Sequence, residues 1–272
     1  MPHLALINEL IGLPELASEH GEMVDHMLEI VHWVMGILFV GWSIFLCIVL
    51  WKFRQSKNPR ASYSGVTNHA SSHIEAAVII VEAILLLGFA IPLWKTRVEE
   101  FPDGPGVVKV RAVGEKFKWT FQYPGADGIL GTSNPRLITT ENPLGLNKDD
   151  PNGKDDFLVS NELRIPLNQK VIIDVASRDV IHNLALTPMR IAQDAIPGTP
   201  AQMWFTPVKK GEWEIICGQL CGAGHANMVA RLYVDSPADW QAFCDEYAPT
   251  PAPAAAEASP EDEESVEVAS AQ

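Results

Sequence analysis

Basic residues are scarce in this chain, and the first 51 residues contain none. Twenty Lys and Arg stand against 34 Asp and Glu, for a net charge of −14. That balance excludes a nucleic-acid binder. Cysteine is scarce too, limited to Cys47, Cys217, Cys221 and Cys244 in 272 residues. Four such widely separated thiols do not make a disulfide framework. Cys47 lies in an apolar run and Cys244 near a predicted helix, so both read as packing residues. The opening Met-Pro-His-Leu-Ala-Leu lacks the basic start of a signal peptide, so the first apolar run can itself serve as the insertion signal. Six acids (Glu257, Glu261, Asp262, Glu263, Glu264, Glu267) fall in residues 248–272 with no base, and removing them leaves the rest at −8. This Ala- and Pro-rich tail reads as disordered, with solubility as its role.

Long apolar runs are what the chain does have. Ile30 to Trp51 is 22 residues without a formal charge. At ~1.5 Å per residue it crosses a ~30 Å hydrocarbon core. A soluble helix of that length, apolar on every face, would be unusual. A second run, about Ile74 to Trp94, carries Glu75 near one end and Glu82 inside, with Pro92 near the other end. A carboxylate in a span is costly and turns toward protein or a polar path. The loop 52–72 between the runs has Lys52, Arg54, Lys57 and Arg60 and no acid. The excess of positive charge places that loop in the cytoplasm and everything after residue 95 outside. The expected layout is an outer segment 1–25 and a two-helix membrane hairpin 26–98, with spans about 28–53 and 74–95. A β-domain follows at 99–247, and then the acidic tail 248–272.

The exported part reads as β. Runs rich in β-branched and aromatic residues are Val107–Val113, Phe117–Tyr123, Glu162–Pro166, Val171–Ala176, Val180–Leu186, Met203–Thr206, Glu212–Cys217 and Met228–Val234. Turn signals separate several of them. So many short strands suggest a Greek-key sandwich or barrel. Residues 124–156, full of Gly, Pro, Asn and Asp, read as a long surface excursion. A short helix is expected at Ala238–Tyr247, after a Ser-Pro cap signal.

The stretch Cys217-Gly-Gln-Leu-Cys221-Gly-Ala-Gly-His225-Ala-Asn-Met228 carries the chemistry. Thiolate and thioether ligands select copper over hard cations, and a Met argues against structural zinc. His182 lies upstream. Two Cys, two His and one Met hold one thiolate too many for a mononuclear blue-copper site, and the right number for two coppers bridged by two sulfurs. Each residue has a plainer reading. His182 could be a satisfied polar group, Met228 a core residue, and the Cys pair a redox dithiol. Their joint occurrence in a Gly-rich loop between two strands favours the metal. Ligands held by a sheet and one loop keep nearly fixed geometry and leave no open position for substrate.

From its first span to about residue 247 the chain closely resembles subunit II of the haem–copper oxidases, specifically cytochrome c oxidase. The motifs Ser177-Arg-Asp-Val-Ile-His182, Asp194-Ala-Ile-Pro-Gly198 and Gly114-Glu-Lys-Phe-Lys-Trp-Thr-Phe-Gln-Tyr123 add to the copper loop. The resemblance implies a cupredoxin-like domain with a dinuclear copper centre, CuA. By position, Cys217 and Cys221 would bridge both coppers, and His182 and His225 would bind one each. Met228 and the backbone carbonyl of Gln219 would be weak ligands. The family takes electrons from cytochrome c on the outer face. It passes them to haem a in subunit I, which holds the haems and CuB and reduces oxygen coupled to proton pumping. Subunit III is a further expected partner, and a bacterial plasma membrane the expected location.

The chain departs from the family at three places. Gln219 stands where the family has Glu, whose side chain also binds a magnesium ion shared with subunit I. A neutral amide is a poorer ligand for a hard cation, which leaves the magnesium site open. Phe117 stands at the family's first Trp, where electrons are thought to arrive. Either that path is altered or Phe117 merely packs, while Trp119 is expected in the core. No Cys-x-x-Cys-His is present, so the donor is expected to be a separate protein. Glu75 matches the family's carboxylate near the mouth of a proton path, or is an ordinary interfacial charge, and Glu82 is expected to face subunit I. Surface acids suit a basic cytochrome c. The main rival is a membrane-tethered copper chaperone or thiol-redox protein. Two apolar spans, a β-rich pattern and Met228 argue against it. A quinol-oxidase subunit II would have lost its copper ligands, and nitrous oxide reductase needs a propeller too large for this chain.

Overall fold

A computed structural model describes residues 6–61, 63, 65 and 68–247 of the protein. The acidic tail expected to be disordered lies outside the described residues, as does the opening Met-Pro-His-Leu-Ala. A short helix α1 (Leu6–Leu10) precedes the long apolar helix α2 (Gly21–Lys52). The second apolar segment is α3 (Ala70–Leu85), a π turn (Leu86–Ala90) and α4 (Ile91–Val98). Both are long and apolar enough to cross a membrane, and their most apolar stretches bury nothing against the rest of the protein. Phe39 is 74% exposed and Trp51 63%, which water would penalise and lipid would not. Both helices overrun the expected spans. Pro92 has no N–H to give its upstream carbonyl. The chain accommodates it with the wider turn just before, where Ile91 N–H reaches Leu86 O.

Among the described residues, the rest forms a ten-stranded sandwich, the expected cupredoxin-like domain. One sheet has the order β3-β2-β1-β5-β8 and the other β4-β10-β9-β6-β7. The strands are β1 (Val108–Glu115), β2 (Lys118–Tyr123), β3 (Phe157–Ser160), β4 (Glu162–Pro166) and β5 (Val171–Ser177). Then come β6 (His182–Leu186), β7 (Ile191–Ala195), β8 (Ala201–Phe205), β9 (Gly211–Cys217) and β10 (Val229–Asp235). Inward residues of both sheets meet in one core containing Trp119, Phe121, Ile173, Phe205, Ile215 and Leu232. Strands β3 and β7 were not expected from the sequence. β3 is only four residues long, and β7 is Ile-Ala-Gln-Asp-Ala, half polar. Each is held by pairing with a neighbour, β2 or β6, rather than by its own propensity.

The structure departs from the sequence pattern at two further places. Phe117 is not in a strand; it sits in the turn between β1 and β2. The excursion 124–156 is not wholly on the surface. Leu144 and Leu146 are buried against Val113, and the buried carboxylate of Asp156 accepts from Gln122 Nε2 at 2.5 Å and Gly131 N at 2.9 Å. The segment is thereby tied to the outer side of β1 and β2.

The closing helix α5 (Pro237–Tyr247) covers one edge. Its Phe243 packs edge-on to Tyr123 (5.3 Å between centroids) and Phe157 (5.7 Å), and Trp240 and Tyr247 complete the cluster. Phe243→Ala removes the centre of that cluster and costs about 3–5 kcal/mol, read as a lower denaturation midpoint of the purified protein.

Residues 13–20 form a strap that docks the start of α2 on the sandwich. Ala17 N donates to Pro188 O, Glu19 N to Thr206 O, and Val208 N to Ala17 O. His20 ends the strap with both ring nitrogens buried. Burial first, and the nearby Arg97 cation second, lower its pKa to about 4. The unfolded imidazole titrates near 6.5, so between the two values the unfolded chain binds more protons. The contribution of a neutral His20 is therefore complete above the upper value and lost as pH falls through the lower one. Amide exchange at Ala17 and Glu19 should accelerate, relative to its intrinsic rate, between pH 7 and 4.5. His20→Gln should flatten that dependence.

Candidate metal centre

Strand register brings the donors together. β9 ends at Cys217 and pairs with β10 so that Ile216 faces Val229. Cys217 N then donates to Met228 O at 3.2 Å. On its other side β9 pairs with β6, Leu184 opposite Cys217, which brings in His182, the first residue of β6. The loop 218–227 closes the arrangement and carries Cys221 and His225.

The resulting distances are short and even. The Cys217 and Cys221 sulfurs are 3.8 Å apart, too far for a disulfide. His182 Nδ1 lies 3.9 Å from the Cys217 sulfur, and His225 Nδ1 lies 3.7 Å from the Cys221 sulfur. Met228 Sδ is 3.8 Å from the Cys221 sulfur. The Gln219 carbonyl oxygen is 3.2 Å from the Cys217 sulfur. One thiolate–metal bond of about 2.3 Å and one imidazole–metal bond of about 2.0 Å together span about 4.3 Å. Every one of these gaps is therefore bridgeable by one metal ion. The donor atoms of His182, Cys217 and Cys221 all lie within 4.8 Å of one another. His182 and Met228 are fully buried, and Cys217 and Cys221 nearly so. Burial, with the adjacent Cys217 thiol as the next cause, pushes the Cys221 thiol above its ordinary range. A metal must therefore displace protons to bind.

The far nitrogen of His182 is also engaged. His182 Nε2 is 2.8 Å from Asp179 Oδ1. Asp179 in turn accepts from Val180 N at 2.6 Å and Lys116 N at 2.8 Å. Burial alone would raise the Asp179 pKa, but these hydrogen bonds, that from His182 foremost, bring it below the ordinary value. A carboxylate there fixes the ring so that Nδ1 points at the sulfurs. Asp179 lies inside the Ser177–His182 motif. Its signal was the Asp-x-x-His spacing.

Glycines make room for close neighbours. A Cβ on Gly114 would lie 3.0 Å from His182 and 3.1 Å from Trp119. Trp119 is fully buried, as expected, its ring edge-on to His182 with centroids 5.9 Å apart. A Cβ on Gly224 would lie 2.5 Å from the Phe117 ring. Phe117, 37% exposed, thus lies directly on the Cys221–His225 turn. Gly218 N donates to Asn183 O, and Asn183 Nδ2 donates to Asp194 Oδ1 at 2.7 Å. The Asp-Ala-Ile-Pro-Gly motif is in this way joined to the loop. Glu75 does not join the cluster. It is exposed in the second turn of α3, at the loop end of the hairpin.

Residues 108–234 match the family described as Cytochrome C oxidase subunit II, periplasmic domain. The chain is 30% identical over 225 residues to the alternative cytochrome c oxidase subunit 2 of Bradyrhizobium diazoefficiens, covering 82% of this chain and 79% of that one. This chain belongs to the cytochrome c oxidase subunit II family. Cytochrome c oxidase subunit 2 of Cereibacter sphaeroides is 25% identical over 234 residues, 79% of this chain and 75% of that one. Among solved structures, the periplasmic domain of subunit II of cytochrome oxidase from Bradyrhizobium japonicum is 26% identical, with a TM-score of 0.39, covering 54% of this chain and 95% of that domain.

For this subunit II chain the Asp179 contact gives a direct test. Asp179→Asn keeps the shape and removes the charge behind His182. Metal affinity should fall by about 10–100-fold, measured by competition with a copper chelator.

Proposed function

We propose that this chain is the electron-transfer subunit of a respiratory terminal oxidase and holds a dinuclear copper centre of the CuA type. The observation that carries this reading is the two-sided donor set. Two sulfurs lie 3.8 Å apart, with one imidazole beside each, His182 at Cys217 and His225 at Cys221. A mononuclear blue-copper site has one thiolate and two His on the same metal. When bound, such a centre supplies one-electron uptake and release. Cys217 and Cys221 would bridge the metals, His182 and His225 would hold one each, and Met228 and the Gln219 carbonyl would complete the set. Burial shields His182, Met228 and the two thiols from water, and the sheet together with loop 218–227 would hold the donors in place in both oxidation states. No open position is left for a substrate, so oxygen chemistry falls to subunit I. The Gln219 side chain is exposed and neutral, which makes it a poor magnesium partner. The carbonyl role needs no side chain.

Phe117 over the copper loop is the natural point of electron arrival from a cytochrome c, and Trp119 beneath His182 keeps the ring in place. The positive loop 52–72 would lie in the cytoplasm and the copper domain outside a bacterial plasma membrane. Glu75 then falls on the cytoplasmic side, where a proton path into subunit I would open. A membrane-tethered copper chaperone is not favoured, because a two-sheet sandwich with Met228 beside Cys221 adds ligands that a transfer site does not need.

The test is electron paramagnetic resonance of the copper-loaded protein. The expected hyperfine pattern is that of one unpaired electron shared by two coppers; the pattern of a single copper would overturn the reading. Cys217→Ser should abolish the signal, whereas Gln219→Ala should leave it largely intact.

A further inference from the structure

The only covalent link between α4 and the sandwich is segment 99–107, which includes Pro102, Gly104, Pro105 and Gly106. Both glycines have positive φ (+101 and +87). A short Pro/Gly connector of this kind does not by itself fix one body relative to another. The strap 13–20 ties the start of α2 to the sandwich through backbone hydrogen bonds, and two side-chain clamps add direction. Arg190 Nε and Nη2 donate to the two carboxylate oxygens of Asp25 at 2.6 and 3.1 Å. Its Nη1 donates to Thr187 O at 2.9 Å and its Nη2 also to Pro14 O at 2.8 Å. The pair is largely shielded, the Arg190 side chain 7% exposed and Asp25 17%. A two-pronged guanidinium–carboxylate pair fixes direction as well as distance. Arg190 also holds a left-handed backbone (φ +54), a conformation unusual for a side chain bearing a Cβ and kept only where contacts over-determine it.

The location of the clamp gives it a consequence for the copper. Asp25 lies in the first turns of α2, the first apolar helix. Arg190 follows β6, the strand that begins with the ligand His182. The second contact is Arg97 of α4, whose guanidinium lies 3.7 Å over the ring of Trp204 in β8. β8 is an edge strand of the opposite sheet. Each apolar helix is thus held to a different sheet, which fixes tilt as well as height.

We propose that Arg190 and Asp25 are positioning residues that set the distance and orientation of the copper centre relative to the membrane helices, and hence the rate at which an electron leaves copper for the haem of subunit I. The inference rests on the relay reading above. Neither residue touches the metal donors. Their loss therefore acts on transfer out of the centre and not on the centre itself.

The experiment uses the assembled oxidase carrying Arg190→Gln or Asp25→Asn. Copper-to-haem electron transfer is timed after photoinduced reduction. The copper resonance is recorded both in solution and in oriented membrane multilayers. The solution spectrum and the copper reduction potential should be unchanged. The transfer rate should fall by about tenfold or more, as small misplacements far from a reacting centre do, and the copper axes should spread relative to the membrane normal. Arg190→Lys should restore only part of the rate, because an ammonium keeps the charge but not the fork. An unchanged rate in both variants overturns the proposal. So does loss of the solution copper spectrum, which would make the clamp a folding element. Asp25→Asn leaves the Arg190 bonds to Thr187 and Pro14 in place, so it carries the test if Arg190→Gln does not assemble. A wild-type oxidase without a shared-electron copper signal would instead defeat the relay reading.

Discussion

The pairing of β9 with both its neighbours is the constraint on which the rest depends. Cys217 is the last residue of that strand. Its backbone meets Met228 on one side, and Leu184, two residues after His182, faces it on the other. A one-residue slip of β9 against β6 would turn Cys217 away from His182, because successive side chains point to opposite faces. The buried alternation of β9, with Ile215 and Cys217 inward, makes such a slip expensive. The same apolar core that stabilises the sandwich therefore also fixes the distance between a sulfur and an imidazole.

Around that fixed point the loop 218–227 has little freedom, and its glycines show why. Gly218 leaves room for Asn183, and Gly224 leaves room for Phe117. Asp179 holds the outer nitrogen of His182 and also ties down the β1–β2 turn through Lys116 N. The aromatic at the surface, the ligand ring below it and the turn between them thus share one carboxylate. For the proposed electron relay, donors held this firmly would favour speed, since a preorganised site has little to rearrange when the charge changes.

The helices and the sandwich meet through polar contacts, not through a large apolar face. The strap 13–20, the Asp25–Arg190 pair and the Arg97–Trp204 stack do this together. Lys209 paired with Glu15 adds an exposed contact that contributes little by itself. At this junction the buried His20 ring, its pKa lowered by burial and by the Arg97 cation, makes the docking of α2 sensitive to pH.

Much of this protein was legible in its sequence, for identifiable reasons. The two apolar runs, the charge of their connecting loop, eight of the ten strands and the closing helix follow from patterns that water and lipid impose locally. The donor types and their spacing follow from the softness of the metal they suit. Trp119 could be placed in the core from sequence, whereas Phe117 could be named but not placed. What the sequence could not supply were features made by distant residues meeting. β7 exists because β6 lies beside it, Leu144 and Leu146 are buried because Val113 is there to receive them, and Asp179 acquires a role only because His182 turns its outer nitrogen toward it. The clamp between Asp25 and Arg190 joins residues far apart in the chain, and no local pattern marks either one. Sequence by itself determined which candidate donor side chains are present and the two-part architecture, because both are written in nearest-neighbour composition. Only the tertiary structure decided which imidazole faces which sulfur and how the copper domain stands on its helices, because those distances are set by register and long-range packing.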